Sequence, residues 1–345
     1  MQPVTAIVTG VGAPVGVGII KCLRACNLPI KIVAVDSDPL AQGLYRVDLA
    51  HLLPSARQDP DAYFEALVQV SQAENAQILF SGWEGELPLL CDRKTEFEAR
   101  TGTILPFAPD ATLKALDKWQ TASVLSLAGV PTPDTVLPID IDQLIRFRQQ
   151  HQYPYVIKPR RSSGGKGLVL VQNDEEFEFF TRYIPDPVIQ ENLLPDDQEY
   201  TVGVFIQQDG TALGALSLKR SLSGGLSYRM ESNNNEEACR VAIEAAIAMG
   251  SIGAVNVQMR LTKDGFKVFE INPRLSSATC VRANFGFNEP ELSIRHFVLK
   301  ELLEPPTTKT GICLRFWEEL YLSIKAKNNA QQGEFEHPGV IYHQF

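Results

Sequence analysis

Apolar residues recur along this chain of 345 residues with two spacings, and the change from one to the other marks out the elements. Val255, Val257 and Met259 alternate with polar neighbours, and Phe266, Val268 and Ile271 do so again after Lys263-Asp264-Gly265. That period-two pattern predicts two paired strands joined by a tight turn. Gln258 and Glu270 then lie close together across the ladder, and Asn272 leaves the same face as Glu270. At the other end, residues 4–9 read as an apolar strand, 10–18 as a glycine-rich turn, 15–26 as a helix and 31–36 as a second strand, a β-α-β opening. A helix over 61–73, a strand over 77–81 and a helix over 87–100 complete an open α/β domain that ends near Pro109.

The next helical pattern, 111–128, contains Asp117-Lys118 and stops at Gly129, Pro131 and Pro133. A small unit follows: helix 141–150, strand 155–158, a polar glycine loop, strand 168–171 and helix 174–183, which together read as a lid. Strands are predicted over 188–191, 199–207 and 211–218, an unstructured stretch over 221–227, and a helix over 236–249 before the hairpin. The expected domains are 1–110, 111–187 and 188–345. The tail beyond Lys325 is polar enough to be partly mobile.

Charge and composition narrow the function classes. Lys and Arg number 32 against 41 Asp and Glu, a net charge of -9, which disfavours nucleic acid as a partner. The chain opens on a short strand and holds no apolar run of membrane-spanning length, so no membrane partner and a cytoplasmic location are expected. The six cysteines are scattered without metal-ligand spacing and read as reduced core thiols.

Several segments carry candidate chemistry. The turn GVGAPVGVG with Asp36 after it is close to a dinucleotide fingerprint, but Val15 stands where the third glycine belongs and Pro14 interrupts the loop. Glu84 and Glu86 lie in a loop at a strand's carboxyl end, where ligands commonly bind, although a solvated loop would look the same. Arg160-Arg161-Ser162-Ser163-Gly164-Gly165-Lys166-Gly167 follows a strand ending in Lys158 and precedes another strand. Its glycines can lay backbone N–H groups on phosphate oxygens. It is not a Walker A loop, because a glycine follows Lys166 and no helix does. In 188–193 an extended backbone can read an adenine edge, and Glu191 or Glu199 can accept from ribose hydroxyls. Glu270 with the amide oxygens of Gln258 and Asn272 suits a nucleotide-bound magnesium ion, and Arg274 adds a fixed positive charge. Each of these, taken singly, can also be read as a polar surface feature, and for the Glu84 loop, the glycine hairpin and the two acids that is the more usual reading.

The series Asp117-Lys118, VIKP with Lys158, SSGGKG, IQEN, EYTV, NVQ and EINPR, in that order, resembles the ATP-grasp superfamily over nearly the whole chain. It is most similar to the carbamoyl-phosphate synthase large subunit and its single-module relatives. The resemblance implies an α/β and α+β architecture: an N-terminal open parallel-sheet domain, termed pre-ATP-grasp, followed by a two-part ATP-grasp fold with a small lid. It also implies Lys118 and Lys158 on the phosphates of ATP and the hairpin Ser162, Ser163, Gly164, Gly165, Lys166 and Gly167 as a flap. Gln190, Glu191, Asn192 and Leu193 would form the adenine hinge, and Glu199 would bind ribose. Gln258, Glu270 and Asn272 would surround one or two Mg2+ ions, for which Mn2+ is a substitute. Arg274, with Lys158, would be catalytic. Gln258 stands where many such enzymes have a glutamate.

The implied reaction is ADP-forming ligation of a small-molecule carboxylate to an amine through an acyl-phosphate. The alternatives are carbamoyl-phosphate-synthase-like phosphorylation of bicarbonate or carbamate, and a non-catalytic nucleotide-binding regulator. A nicotinamide oxidoreductase is disfavoured by the broken fingerprint. Lys219, Arg220, Arg229, Arg282 and Asn284 are candidates for holding the acceptor, and a homodimer is common among such relatives.

Overall fold

A strand covered on both faces is almost continuously apolar, and Val4–Val8 (β1), with Thr5 its one polar residue, is buried at every position. The computed structural model describes residues 3–47, 49–162, 164–316, 319–331, 333 and 335. In it β1 is flanked by Ile30–Asp36 (β2), with Leu49–Leu52 (β3) outside β2 and Ile78–Phe80 (β4) on the other side, all parallel. The helix Pro14–Ala25 returns the chain between β1 and β2, with proline at its first position where no N–H is needed. The turn before it is built by close approach: a Cβ on Gly16 would lie 2.5 Å from the Gly10 carbonyl oxygen. Asp36 accepts from the Gly12 and Asp38 N–H groups, so its carboxylate is spent on holding this turn.

Two predicted helices are interrupted. The 87–100 pattern is two helices, Leu87–Asp92 and Lys94–Thr101, because Arg93 leaves helical geometry to lay its guanidinium 3.5 Å from the Phe64 ring centre and pair with Glu96. The 111–128 pattern splits into Pro109–Ala115 and Lys118–Leu127, since Asp117 caps the second helix by accepting from the Trp119 and Gln120 N–H groups.

The lid is a four-stranded antiparallel sheet of Thr135–Val136 (β5), Tyr155–Pro159 (β6), Val169–Val171 (β7) and Pro187–Glu191 (β8), ordered β5-β8-β6-β7. The expected boundary after residue 187 left β8 outside this sheet. It pairs with β5 and β6 instead, and Pro187 opens it, at the first position of a strand where a proline is tolerated. The helices Ile141–Gln150 and Asp174–Tyr183 close a separate core of Phe147, Tyr155, Ile157, Phe177 and Ile189.

The largest sheet contains Glu199–Ile206 (β9), Ala212–Ser223 (β10), Leu226–Ser232 (β11), Gly253–Thr262 (β12), Gly265–Asn272 (β13) and Gly311–Leu314 (β14), in the order β13-β12-β9-β10-β11-β14. The stretch 221–227, expected to be unstructured, is the hairpin joining β10 to β11. Gly224 and Gly225 both take positive φ, +57° and +78°, as a tight two-residue turn requires. The helix Glu236–Ala248 covers one face of the sheet with Ala238, Val241, Ala242 and Ala245, a spacing that puts all four on one side. Among the described residues no helix is long and apolar enough to cross a membrane. Of the tail beyond Lys325 that was expected to be partly mobile, residues 332, 334 and 336–345 lie outside the described residues, while residues 326–330 form the end of the helix Ile324–Ala330.

One charged cluster is core rather than site. Arg282, expected to meet an acceptor, is wholly buried. Its guanidinium contacts Glu289 at 2.6 Å, the Asn256 Oδ1 at 3.3 Å and the Ser276 Oγ at 3.1 Å. Glu289 also accepts from the Thr279 hydroxyl at 2.6 Å. Removing one partner leaves an uncompensated buried charge, so Glu289→Ala is expected to cost about 3–5 kcal/mol. Urea unfolding measures this; a loss below about 1 kcal/mol, the size of an exposed pair, would contradict the assignment.

Candidate active site

Between the lid sheet and the large sheet lies a cavity of about 320 Å³. Lys158, at the end of β6, is 6% exposed and makes no hydrogen bond among the described residues. Burial pushes its ammonium down to about 8, with Glu270 acting to raise it and Lys118 to lower it further. Lys118 opens its helix directly after the capping Asp117, and its Nζ donates to the Ser162 carbonyl and hydroxyl oxygens. Asp117 is fully buried and receives two bonds from Arg160, at 2.6 and 3.1 Å. The pair fixes the root of the glycine hairpin to the helix that carries Lys118.

In that hairpin Gly164, Gly165 and Gly167 have φ of +66°, +70° and +75°, a region that side chains disfavour. Ser162, Gly164, Gly165 and Lys166 line the cavity; Ser163 lies outside the described residues. Gln190, Glu191, Asn192 and Leu193 line it from the strand β8 side. The Gln190 amide donates to the Thr135 Oγ1 at 2.8 Å, and Glu191 accepts from Lys267 at 2.5 Å. Both side chains therefore brace the segment, tying β8 to β5 and β13.

Glu199, the first residue of β9, is held from both sides. Its Oε1 accepts from the Arg220 Nη2 at 2.6 Å and Nε at 3.0 Å, and its Oε2 from the Arg260 Nη2 at 2.7 Å. Arg220 also donates to the Gln258 Oε1 at 2.7 Å and the Ser227 Oγ at 3.3 Å. Arg160 and Arg260 were not expected to take part, because a guanidinium's partner is set by tertiary contact. The only sequence trace was the placement of Arg160 beside the glycine hairpin.

Gln258 and Glu270 are direct partners in the β12–β13 ladder. The register then steps to Met259–Val268, leaving Phe269 as the extra residue of a β-bulge. The bulge explains why the apolar series runs 266, 268, 271, and it turns Phe269 and Glu270 both toward the cavity. Glu270 makes no side-chain hydrogen bond or close ion pair among the described residues. Asn272 accepts from the Arg274 Nη2 at 3.1 Å, while its own Nδ2 is buried without a partner.

Arg274 reaches across to the N-terminal domain, where its Nη2 meets the Glu84 Oε2 at 2.7 Å. Glu86, two residues on, is not in a solvated loop. It is 2% exposed, and burial pushes its carboxyl up while the Ser81, Thr9 and Tyr63 hydroxyls surround it.

Among the described residues no cluster of three His, Cys, Asp or Glu forms a metal cage. A single unpaired carboxylate, Glu270, beside the Asn272 amide oxygen fits an ion that keeps phosphate and water as its other ligands.

Residues 115–278 match the model of the ATP-grasp domain, and residues 8–105 that of the PylC-like N-terminal domain. The carbamoyl phosphate synthase large chain of Pseudomonas syringae pv. tomato is 23% identical over 226 residues, 61% of this chain and 21% of that protein. The chain thus spans about a fifth of that relative's length. Among solved structures, biotin carboxylase of Campylobacter jejuni, in its β,γ-ATP complex, aligns with a TM-score of 0.71 at 19% identity over 89% of this chain and 74% of that one. L-amino acid ligase of Bacillus licheniformis aligns at 0.65 and 17% identity over 88% of this chain and 75% of that one. These likenesses show the fold.

The Lys158 shift has a signed consequence. A polyphosphate held by Lys158 would bind its ammonium form, so its affinity is expected to fall by up to about tenfold per pH unit above a pH of about 8. Binding there should take up a proton, detectable by calorimetry in buffers of different ionisation enthalpy, and Lys158→Arg should abolish the uptake. Between about 8 and the ordinary 10.5 the unfolded chain holds a proton that the folded one has lost, so this lysine adds stability as pH rises through that window. No proton uptake in the native protein would contradict the assignment.

Proposed function

We propose that this chain, whose residues 115–278 form an ATP-grasp domain, is an ADP-forming ligase that activates a small carboxylate with ATP and joins it to an amine. The observation that carries this reading is the presence inside one cavity of a buried ammonium, Lys158, and a carboxylate, Glu270, neither of which makes a side-chain hydrogen bond or close ion pair among the described residues. Neither is stable there for packing reasons alone, and together they suit a metal-bound polyphosphate.

Lys158 and Lys118 would meet the phosphates, with the Ser162 to Gly167 hairpin closing over them. Gln190 to Leu193 would hold the adenine, and Glu199 the ribose. Glu270 and Asn272 would hold magnesium, which when bound offsets charge on the phosphate oxygens. The substrate carboxylate attacks the γ-phosphorus, the bond to the β-phosphate oxygen breaks, and ADP leaves behind an acyl-phosphate. Lys158 offsets the charge that builds on the transferring group. An amine then attacks the activated carbonyl, and phosphate leaves. Arg274 would stabilise the oxygen that becomes anionic in that step. The acyl-phosphate is labile to water, so a lid over the cavity has a chemical purpose.

The sequence relatives favour a second reading, phosphorylation of bicarbonate or carbamate by the same residues. A screen of ADP release against panels of carboxylates and amines, with bicarbonate included, separates the two readings. Arg274→Ala is expected to lower kcat by on the order of 10²–10³-fold while nucleotide still binds. Unchanged turnover in that variant, or no ADP release with any pair while nucleotide binds, would count against the ligase reading.

A further inference from the structure

We propose, on the nucleotide-site reading above, that Arg220 occupies the place of a second divalent cation, so that the chain handles its nucleotide with one metal ion and one guanidinium. Two-metal sites for phosphoryl transfer set their ions about 3.5–4 Å apart on shared oxygen ligands. Here the ladder pairs Gln258 with Glu270, the arrangement that would bridge two ions.

The only metal-binding atom of a glutamine side chain is its carbonyl oxygen. In Gln258 that atom accepts from the Arg220 Nη2 at 2.7 Å. An ion on the same oxygen would stand beside a guanidinium in a cavity where water screens little, and the two cations would repel strongly.

Arg220 is not free to swing aside. Two of its nitrogens hold the Glu199 Oε1, a third reaches the Ser227 Oγ, and its side chain is only 10% exposed. Glu199 offers no spare charge to a second ion, because Arg260 takes its other oxygen. Counting acids gives the same result. Of the described acids that line the cavity, Glu191 is paired with Lys267 and Glu199 with two arginines, which leaves Glu270 as the one unpaired carboxylate, and Glu84 beside it is taken by Arg274. One carboxylate and the Asn272 amide oxygen suit one magnesium completed by phosphate and water. A guanidinium stays protonated at any working pH, so it supplies its charge at any metal concentration.

The test is Mn2+ stoichiometry by electron paramagnetic resonance on the full chain with a non-hydrolysable ATP analogue, nucleotide binding being measured in parallel with a fluorescent analogue. The native protein is expected to take one Mn2+ per chain with an uncoupled spectrum. Arg220→Met, which removes the cation and frees the Gln258 oxygen, is expected to take a second ion at least about tenfold more tightly than the native protein. Arg220→Lys, which keeps a cation, should stay at one. Two ions with an exchange-coupled spectrum in the native protein overturn the proposal whether or not the variants fold. A folded Arg220→Met protein that still takes one ion overturns the role given to Arg220. Failure of the native protein to bind nucleotide at all overturns the nucleotide-site reading as well, and so is distinguishable from either result.

Discussion

An ammonium group removed from water must find an anion or lose its proton, and Lys158 has been given neither open solvent nor, among the described residues, a hydrogen-bonded acceptor. That unmet demand organises the site. The cost of burying it is sustained by the packing of two independent cores, that of the lid and that of the large sheet, whose facing surfaces form the cavity. Around it four arginines are tethered. Arg160 is fixed on Asp117, Arg220 and Arg260 on Glu199, and Arg274 on Glu84, so the positive field is held in place before any ligand arrives. Preorganised charge of this kind does not need to reorient when a triphosphate enters.

The two ion-pair groups in this half of the molecule illustrate different uses of the same chemistry. Arg282 and Glu289 are sealed from the cavity and join the helix Thr279–Asn284 to β12 through Asn256. Close packing there extends to β9, where a side chain at Gly203 would overlap the Arg282 Nε at 2.2 Å. Arg220 and Arg260 face the cavity and leave their charge accessible to a ligand. Sequence alone makes these four residues indistinguishable, since each is a basic or acidic position on an apolar element.

The parts of the fold that rest on local rules were legible. Alternation gave β12 and β13 and their register, and glycine with proline gave the turn into the first helix. The order of short segments such as IQEN and EINPR pointed to the family where no one motif did. What local rules missed were tertiary decisions. The break at Arg93 depends on Phe64 from another helix, and the burial of Glu86 depends on Tyr63 and Thr9. The β10–β11 hairpin was hidden by its serines, although Leu222 and Leu226 flanking Gly224-Gly225 are the signature of a tight turn.

The contact between Glu84 and Arg274 spans 190 positions in sequence and joins the parallel-sheet unit to the end of β13. Arg274, the residue proposed for the reacting carbonyl, is thereby held by a part of the molecule that supplies few other contacts to the cavity. The first hundred residues are then more than a cover. On the proposed role of Arg274 they act as a gauge of alignment, and a shift of that unit by an ångström would then change the chemistry before it changed the binding of any nucleotide.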